Sequence, residues 1–228
     1  WQDASTYIFP PKHHALDIYT THDSFLAHIR SQIGHNHVAT IYPPAAQLIF
    51  KLAYGVHPSL LSLRVLLVLS DLLLMVGLVA LLKHFQYSPF WIIFYALHPL
   101  VIFEVGHGTH LDTWGSCAMI WGFYLYKKNR YFFSAVCMSL GGWIKLIPWI
   151  PMSFIGIKLF RKRLTLGKAF YYYIIGFSLV SALCCLPFIQ EIPYVNQDHG
   201  LYAYGTRWRF NDGLFFVCYT IIKSFLKF

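Results

Sequence analysis

Long apolar stretches separated by short clusters of basic residues constrain this chain more than any other feature. A helix needs roughly 20 predominantly apolar residues to cross the ~30 Å hydrocarbon core of a bilayer. Only 12% of the 228 residues are charged, whereas a soluble domain carries about 25%. This composition excludes a disordered chain and a soluble nucleic-acid-binding protein. We expect an all-α, polytopic transmembrane helical bundle, with apolar stretches at 59–82, 89–105, 111–126, 131–160 and 169–188.

The distribution of basic residues predicts which helix ends face the cytoplasm. The formal net charge is +9, and the cytoplasmic loops of membrane proteins are enriched in Lys and Arg. Lys83, the loop 127–130 and the loop 161–168 should therefore all be cytoplasmic. One long tilted helix over 131–160 would place the last two loops on opposite sides of the membrane. We therefore favour a turn near Lys145.

The segments outside these spans complete the predicted domain organisation. We expect extracytoplasmic loops over 1–40, with one short helix at 23–32, and over 189–212. Residues 41–57 would make a helix of only about 20–25 Å, so they are expected to lie at the membrane interface. The chain begins with Trp rather than Met and ends in an apolar stretch at 213–228. These ends predict a single, partial transmembrane domain whose last helix is truncated.

The segment from residue 104 to 112 is the strongest candidate for a catalytic site. It lies where one predicted span ends and the next begins, and ionisable groups at membrane depth are costly and therefore functional candidates. Glu104, His110 and Asp112 are the candidate catalytic residues. One alternative is a divalent metal held by His107, His110 and Asp112. A hydrogen-bonded helix reversal is the structural alternative.

Basic residues in predicted extracytoplasmic positions are candidate substrate contacts. Lys145, at the predicted turn, is a candidate phosphate ligand, and its alternative role is a lysine that extends to the membrane surface. Arg207 and Arg209 flank Trp208, which suits a phosphate and a sugar ring. An interfacial aromatic belt with basic anchors is the alternative for that segment. Asp71, in mid-span, is expected to be a structural acid that pairs with another span.

Several segments together resemble motifs of the GT-C superfamily of membrane glycosyltransferases, in particular its members that use polyprenyl-phosphate mannose or glucose. His98-Pro99-Leu100, followed by Glu104 and His110-x-Asp112, is similar to the family pattern N-P-L, E and H-x-D. The other similar segments are Thr40 to Gln47 (TIYPPAAQ), Arg64 to Leu73, and the group Trp208, Phe210 and Asn211. Their common order along the chain is more specific than any one of them.

This resemblance implies a fold, a reaction and further site residues. The fold would be a GT-C-like bundle with interfacial helices and extracytoplasmic loops. The reaction would transfer a hexose, mannose or glucose, from a polyprenyl-phosphate sugar to a lipid-linked or glycan acceptor on the extracytoplasmic face. Tyr42 and Asn211 become candidate substrate contacts beside Lys145, Arg207 and Trp208.

The chain departs from the family pattern at three places. His98 stands where Asn is common, and Gly108 stands where the motif often has Asn. The family's acidic motif of the first external loop, which supplies its proposed base, would lie upstream of Trp1. We therefore expect the main catalytic acid to lie outside this chain.

We predict a multi-pass glycosyltransferase of the bacterial cytoplasmic membrane, in contact with membrane lipids and with no certain cofactor. A polytopic transporter or lipid flippase is the alternative, because broken helices and charges at mid-membrane depth also suit transport. The distribution of acids favours the enzyme: every acid except Asp71 falls on the predicted extracytoplasmic side.

Overall fold

The described part of the chain is helical and contains no strand. The computed structural model describes residues 11–14, 17, 21, 24–33, 37–108, 110–189 and 221, with the backbone alone at 25, 106–107 and 163–166. The chain divides into two compact units, residues 1–41 with 191–228, and residues 42–190. The predicted loop after Ile189 and, apart from Ile221, the predicted last helix lie outside the described residues.

The first unit contains helix α1, Ser24–Gln32, which confirms the short helix predicted in this region. Arg30 ties the preceding segment to the helix. Its guanidinium donates to the Asp17 carboxylate at 2.7 Å and to the carbonyls of Pro11 at 2.6 Å and His13 at 3.0 Å. Three bonds from one planar cation therefore hold this polar segment against the helix.

The second unit is built from two long helices and several shorter ones. Its helices are α2 Pro44–Val56, α3 Leu60–His84, α4 Ile93–Ala96, α5 Pro99–Phe103, α6 Asp112–Lys127, α7 Tyr131–Ile144, α8 Trp149–Arg161 and α9 Arg163–Cys185. Among the described residues, two segments are long and apolar enough to cross a membrane: Leu60–His84 and Gly167–Phe188. The 16, 14 and 13 residues of α6, α7 and α8 correspond to only about 20–24 Å each.

The predicted continuous span over 89–105 is interrupted in the structure. A 3₁₀ turn at Pro89–Ile92, the short helices α4 and α5, and a π-helical turn at Glu104–Gly108 follow one another instead. The break before α5 comes from Pro99, because proline lacks an N–H donor and disfavours the helical conformation in the residue before it. His98 accordingly has an extended backbone, with φ −68° and ψ 120°.

The predicted turn near Lys145 is present. Helix α7 ends at Ile144, Lys145 is extended, and α8 begins at Trp149. Helix α9 begins earlier than the predicted span at 169, because Lys162 alone separates it from α8. Most of the predicted basic loop 161–168 is therefore helical.

Basic side chains from several helices meet at one end of this unit. The ammonium of Lys127, at the end of α6, lies 5.0 Å from the ring centre of Phe85, which follows α3. The ammonium of Lys158, near the end of α8, lies 6.0 Å from the ring of Tyr126. These contacts bring the C-terminal ends of α3, α6 and α8 together, as a hairpin with its turn near Lys145 requires. We call this region the basic end.

Two buried clusters hold the helices of this unit together. The first cluster joins α2, α3, α7 and α9 and the residue before α6: Ala45, Ala46, Leu67, Leu111, Ile144, Val180 and Cys184. The second joins α7, α8 and α9: Ala135, Met138, Met152, Ile155, Leu159, Ala169 and Tyr173. Leu111 and Ile144 place the first cluster beside the starts of α6 and of the α7–α8 turn.

Glycines permit close helix crossings in this unit. A Cβ added to Gly122 would lie 2.6 Å from the Met138 side chain, and one added to Gly176 would lie 2.6 Å from the Phe132 carbonyl. The Ser134 hydroxyl donates to the Gly122 carbonyl across the same α6–α7 contact, at 2.8 Å. Small residues with inter-helix hydrogen bonds are typical of helix packing inside membranes.

Candidate active site

Asp112 and Lys145 form an ion pair at the end of the bundle away from the basic end. The Lys145 ammonium lies 2.9 Å from the Asp112 carboxylate, and the two side chains are 40% and 54% exposed. An ion pair this exposed contributes about 1 kcal/mol or less to stability. Both groups therefore remain accessible to a ligand.

Their positions follow from the buried residues that precede them. Leu111 and Ile144 are each 1% exposed and belong to the same cluster, so the residues that follow them are brought close together. Asp112 is the first residue of α6 and Lys145 follows the last residue of α7. A negative charge at a helix N-terminus and a positive charge at a C-terminus each interact favourably with the helix dipole.

Two glycines bring α6 and α7 close enough for this pair. A Cβ on Gly115 would lie 3.1 Å from the Cβ of Lys145, and a Cβ on Gly141 would lie 3.1 Å from the Gly115 carbonyl. Residues larger than glycine would force the helices apart at this crossing. The glycines therefore support the site, a role that sequence reasoning did not assign to them.

Glu104 and His110 form a second pair beside the π-helical turn. The His110 Nε2 lies 3.5 Å from a Glu104 carboxylate oxygen, close enough for Glu104 to orient the imidazole ring. Gly108 lies between them: a Cβ there would clash with the Glu104 carboxylate and would lie 3.0 Å from the His110 ring. An Asn at position 108, as in the family pattern, would therefore require Glu104 to move.

His98 performs the local task that an asparagine would perform at this position. Its Nδ1 accepts from the Leu100 N–H at 3.2 Å, which caps the N-terminus of α5. Asn is a preferred residue for this kind of cap. The departure from the family pattern thus conserves the cap with a different side chain.

The other predicted site residues are placed as follows. Tyr42 packs against the first cluster. Arg207, Trp208 and Asn211 lie outside the described residues, as does the side chain of His107. No group of three or more His, Cys, Asp or Glu residues able to hold a metal ion occurs among the residues that the structure describes.

Asp71 pairs with a residue from another segment, as the sequence predicts for an acid in mid-span. The Tyr95 hydroxyl donates to the Asp71 carboxylate at 2.6 Å. This bond attaches the interrupted segment, which continues into Glu104, to the long helix α3. The sequence predicted a partner for Asp71 but did not identify Tyr95, because an aromatic residue in an apolar stretch has no distinguishing local pattern.

Comparison with known proteins identifies a family that matches a large part of the chain. A family model described as alpha-(1->6)-mannopyranosyltransferase, N-terminal domain, matches residues 31–161, more than half of the chain. The matched range contains Glu104, His110, Asp112 and Lys145. No curated protein and no solved structure matches the chain.

Proposed function

Because the chain belongs to the alpha-(1->6)-mannopyranosyltransferase family, we propose that it is a membrane-embedded mannosyltransferase of the GT-C type. In this proposal a polyprenyl-phosphate sugar is the donor, and a lipid-linked or glycan acceptor receives the mannose on the extracytoplasmic face. The observation that carries it is the Asp112–Lys145 ion pair, an accessible acid beside an accessible cation. The membrane would be the bacterial cytoplasmic membrane.

The lengths of the helices support a donor carried on a lipid. If the basic end lies at the cytoplasmic surface, α6 and α7 rise about 20–24 Å through a hydrocarbon core of ~30 Å. Asp112 and Lys145, at the far ends of these helices, would then lie several ångströms below the opposite surface. A phosphate attached to a polyprenyl chain can reach this depth, whereas a freely soluble nucleotide sugar would have to leave water.

The ion pair suits the two charges that the reaction creates. The acceptor hydroxyl attacks the anomeric carbon, the bond from that carbon to the phosphate oxygen breaks, and the polyprenyl phosphate leaves with the electron pair. A carboxylate must take the hydroxyl proton, and we propose that Asp112 positions the acceptor hydroxyl for this transfer. The Lys145 ammonium has three N–H donors, so it can hold the leaving phosphate while it remains paired with Asp112.

The remaining candidates have supporting roles in the proposal. His110, beside Glu104, is proposed to bind the acceptor. Tyr42, Arg207, Trp208 and Asn211 are proposed as further substrate contacts. A divalent metal held by His107, His110 and Asp112 is the weaker alternative.

Transfer by the full-length chain tests the proposal. Washed membranes that contain it, from a host unable to make polyprenyl-phosphate mannose, should transfer labelled mannose from the added lipid donor and none from a nucleotide sugar. Lys145→Met should raise the donor KM at least about tenfold, the scale of one lost charge-assisted contact, and Lys145→Arg should recover part of this loss. Lipid translocation without sugar transfer would support the transporter alternative instead.

A further inference from the structure

An open groove between α3 and α6 lies at the basic end, away from the candidate active site. Its volume is about 440 Å³, and it is lined by Val76, Val79, Ala80, Lys83, His84, Gln86, Tyr124 and Lys128. The α3 residues among them at positions 76, 79, 80 and 83 recur at the spacing of one helix face. The groove therefore extends from an apolar wall in mid-helix to a basic rim at the helix ends.

The rim carries two lysines and no acid among the described lining residues. Lys83 and Lys128 are both exposed, and the Lys128 ammonium lies 5.6 Å from the ring centre of Tyr124. His84 and Gln86 add further polar groups to the same rim. A group with negative charge and several acceptor oxygens would complement this rim.

The α3 wall of the groove is apolar, in contrast to its basic rim. Val76 is 56% exposed, and Val79 and Ala80 continue the same apolar face toward Lys83. The distance from Val76 to Lys83 along the helix is about 10 Å. A ligand that fills the groove therefore combines an anionic head with an apolar chain that lies along α3.

We propose that this groove binds an anionic phospholipid, with its headgroup phosphate between Lys83 and Lys128 and an acyl chain along Val76 and Ala80. Basic pockets between transmembrane helices bind such headgroups on the cytoplasmic side. The inference rests on the membrane orientation proposed above but not on sugar transfer. The site would anchor the basic end at a cytoplasmic surface rich in anionic lipid.

Native mass spectrometry of the full-length protein in detergent tests the proposal directly. The protein is equilibrated with equal amounts of phosphatidylglycerol and phosphatidylcholine that carry identical acyl chains. The wild type should retain phosphatidylglycerol preferentially. A lysine near an anionic membrane surface contributes about fivefold in affinity, so the Lys83→Gln/Lys128→Gln variant should lose at least about tenfold of this preference.

Two further variants separate lipid binding in the groove from a general attraction between anionic lipid and the basic residues of the protein. The Arg161→Gln/Lys168→Gln variant removes the same charge from exposed positions on α8 and α9 outside the groove, and it should keep most of the preference. The Ala80→Phe variant keeps every charge but fills the apolar wall, and it should lose the lipid. Equal losses in the two glutamine variants, or full binding by Ala80→Phe, would overturn the proposal.

Soluble glycerol phosphate distinguishes the lipid from a free phosphate. If the acyl chain contributes to binding, a large excess of glycerol phosphate should leave the bound phosphatidylglycerol in place. Displacement at equal concentrations would show a site for soluble phosphate and would contradict the assignment. No sugar donor is present in these measurements, so their outcome is independent of whether the transferase proposal holds.

Discussion

The packing of the surrounding backbone, and not the attraction between the two charges, holds Asp112 and Lys145 near each other. The buried Leu111 and Ile144 fix the backbone on both sides, and Gly115 and Gly141 remove the bulk that would separate the helices. The exposed ion pair itself adds about 1 kcal/mol or less. Replacing either charge should therefore change chemistry much more than stability.

Asp112→Asn is the sharpest residue-scale test of this view. The amide has nearly the same shape but no negative charge with which to hold the acceptor hydroxyl, so turnover should fall by roughly two orders of magnitude or more, the usual scale for a positioned acid–base group. Glu104→Gln should lower turnover by a smaller factor, because the amide still contacts His110. Mannosyl transfer by purified variants, with equal expression and equal melting temperatures as controls, provides the measurement.

Chelator treatment separates the carboxylate role of Asp112 from the metal alternative. Treatment of the wild type with a chelator should leave the transfer rate unchanged if Asp112 acts as a carboxylate paired with Lys145. Loss of activity that divalent cations restore would assign Asp112 to a metal site instead. Near-normal turnover of Asp112→Asn in a folded protein would remove this residue from the catalytic hypothesis.

At the scale of elements, the short hairpin of α7 and α8 decides where Lys145 lies. The extended Lys145 ends α7, and Pro148 directly precedes the first residue of α8. Gly141, one turn before Lys145, contacts both α6 and this turn. The crossing of α6 and α7 is thus the element-scale feature that assembles the site.

Gly141→Leu should disrupt that crossing. A Cβ there would already lie 3.1 Å from the Ala118 Cβ and 3.2 Å from the Pro148 Cβ, and overpacking of this kind costs about 1–3 kcal/mol. We expect a lower melting temperature in detergent together with a loss of transfer activity. Gly167→Leu in α9 is the matched control, because a Cβ at that glycine meets no atom within 4 Å. Equal behaviour of the two variants would show that the crossing has no such role.

At the scale of the whole molecule, charge divides the second unit into two ends. Lys127 and Lys158 meet the aromatic rings at one end, and the Asp112–Lys145 pair lies at the other. Cytoplasmic loops are enriched in basic residues, so the basic end should face the cytoplasm. This orientation is the premise shared by the transferase and lipid proposals.

Site-directed labelling tests the orientation. In a background with all five native cysteines replaced, cysteines at Asn129 and Lys168 should react with an impermeant thiol reagent only after the cells are permeabilised. If only one of these two positions were labelled from outside, the hairpin topology would be wrong.

The α-helical class, the long helix α3 and the turn near Lys145 were all predictable from the sequence. Each depends on local chemistry: the length of an apolar stretch, the lysine and proline that interrupt it, and the placement of basic residues at helix ends. The same local reasoning identified Asp112 and Lys145 as separate candidates. It predicted a continuous span over 89–105 because hydropathy alone does not register the conformational restriction imposed by Pro99.

Tertiary structure alone decided which of these residues meet. The positions of Asp112 and Lys145 in the chain do not specify that they form an ion pair, and nothing local distinguishes Tyr95 as the partner of Asp71. The Asp112–Lys145 contact depends on how closely α6 and α7 cross, which glycines such as Gly115 permit only when they face another helix. The sequence shows only that a residue is glycine, whereas the fold determines which neighbouring group packs against it.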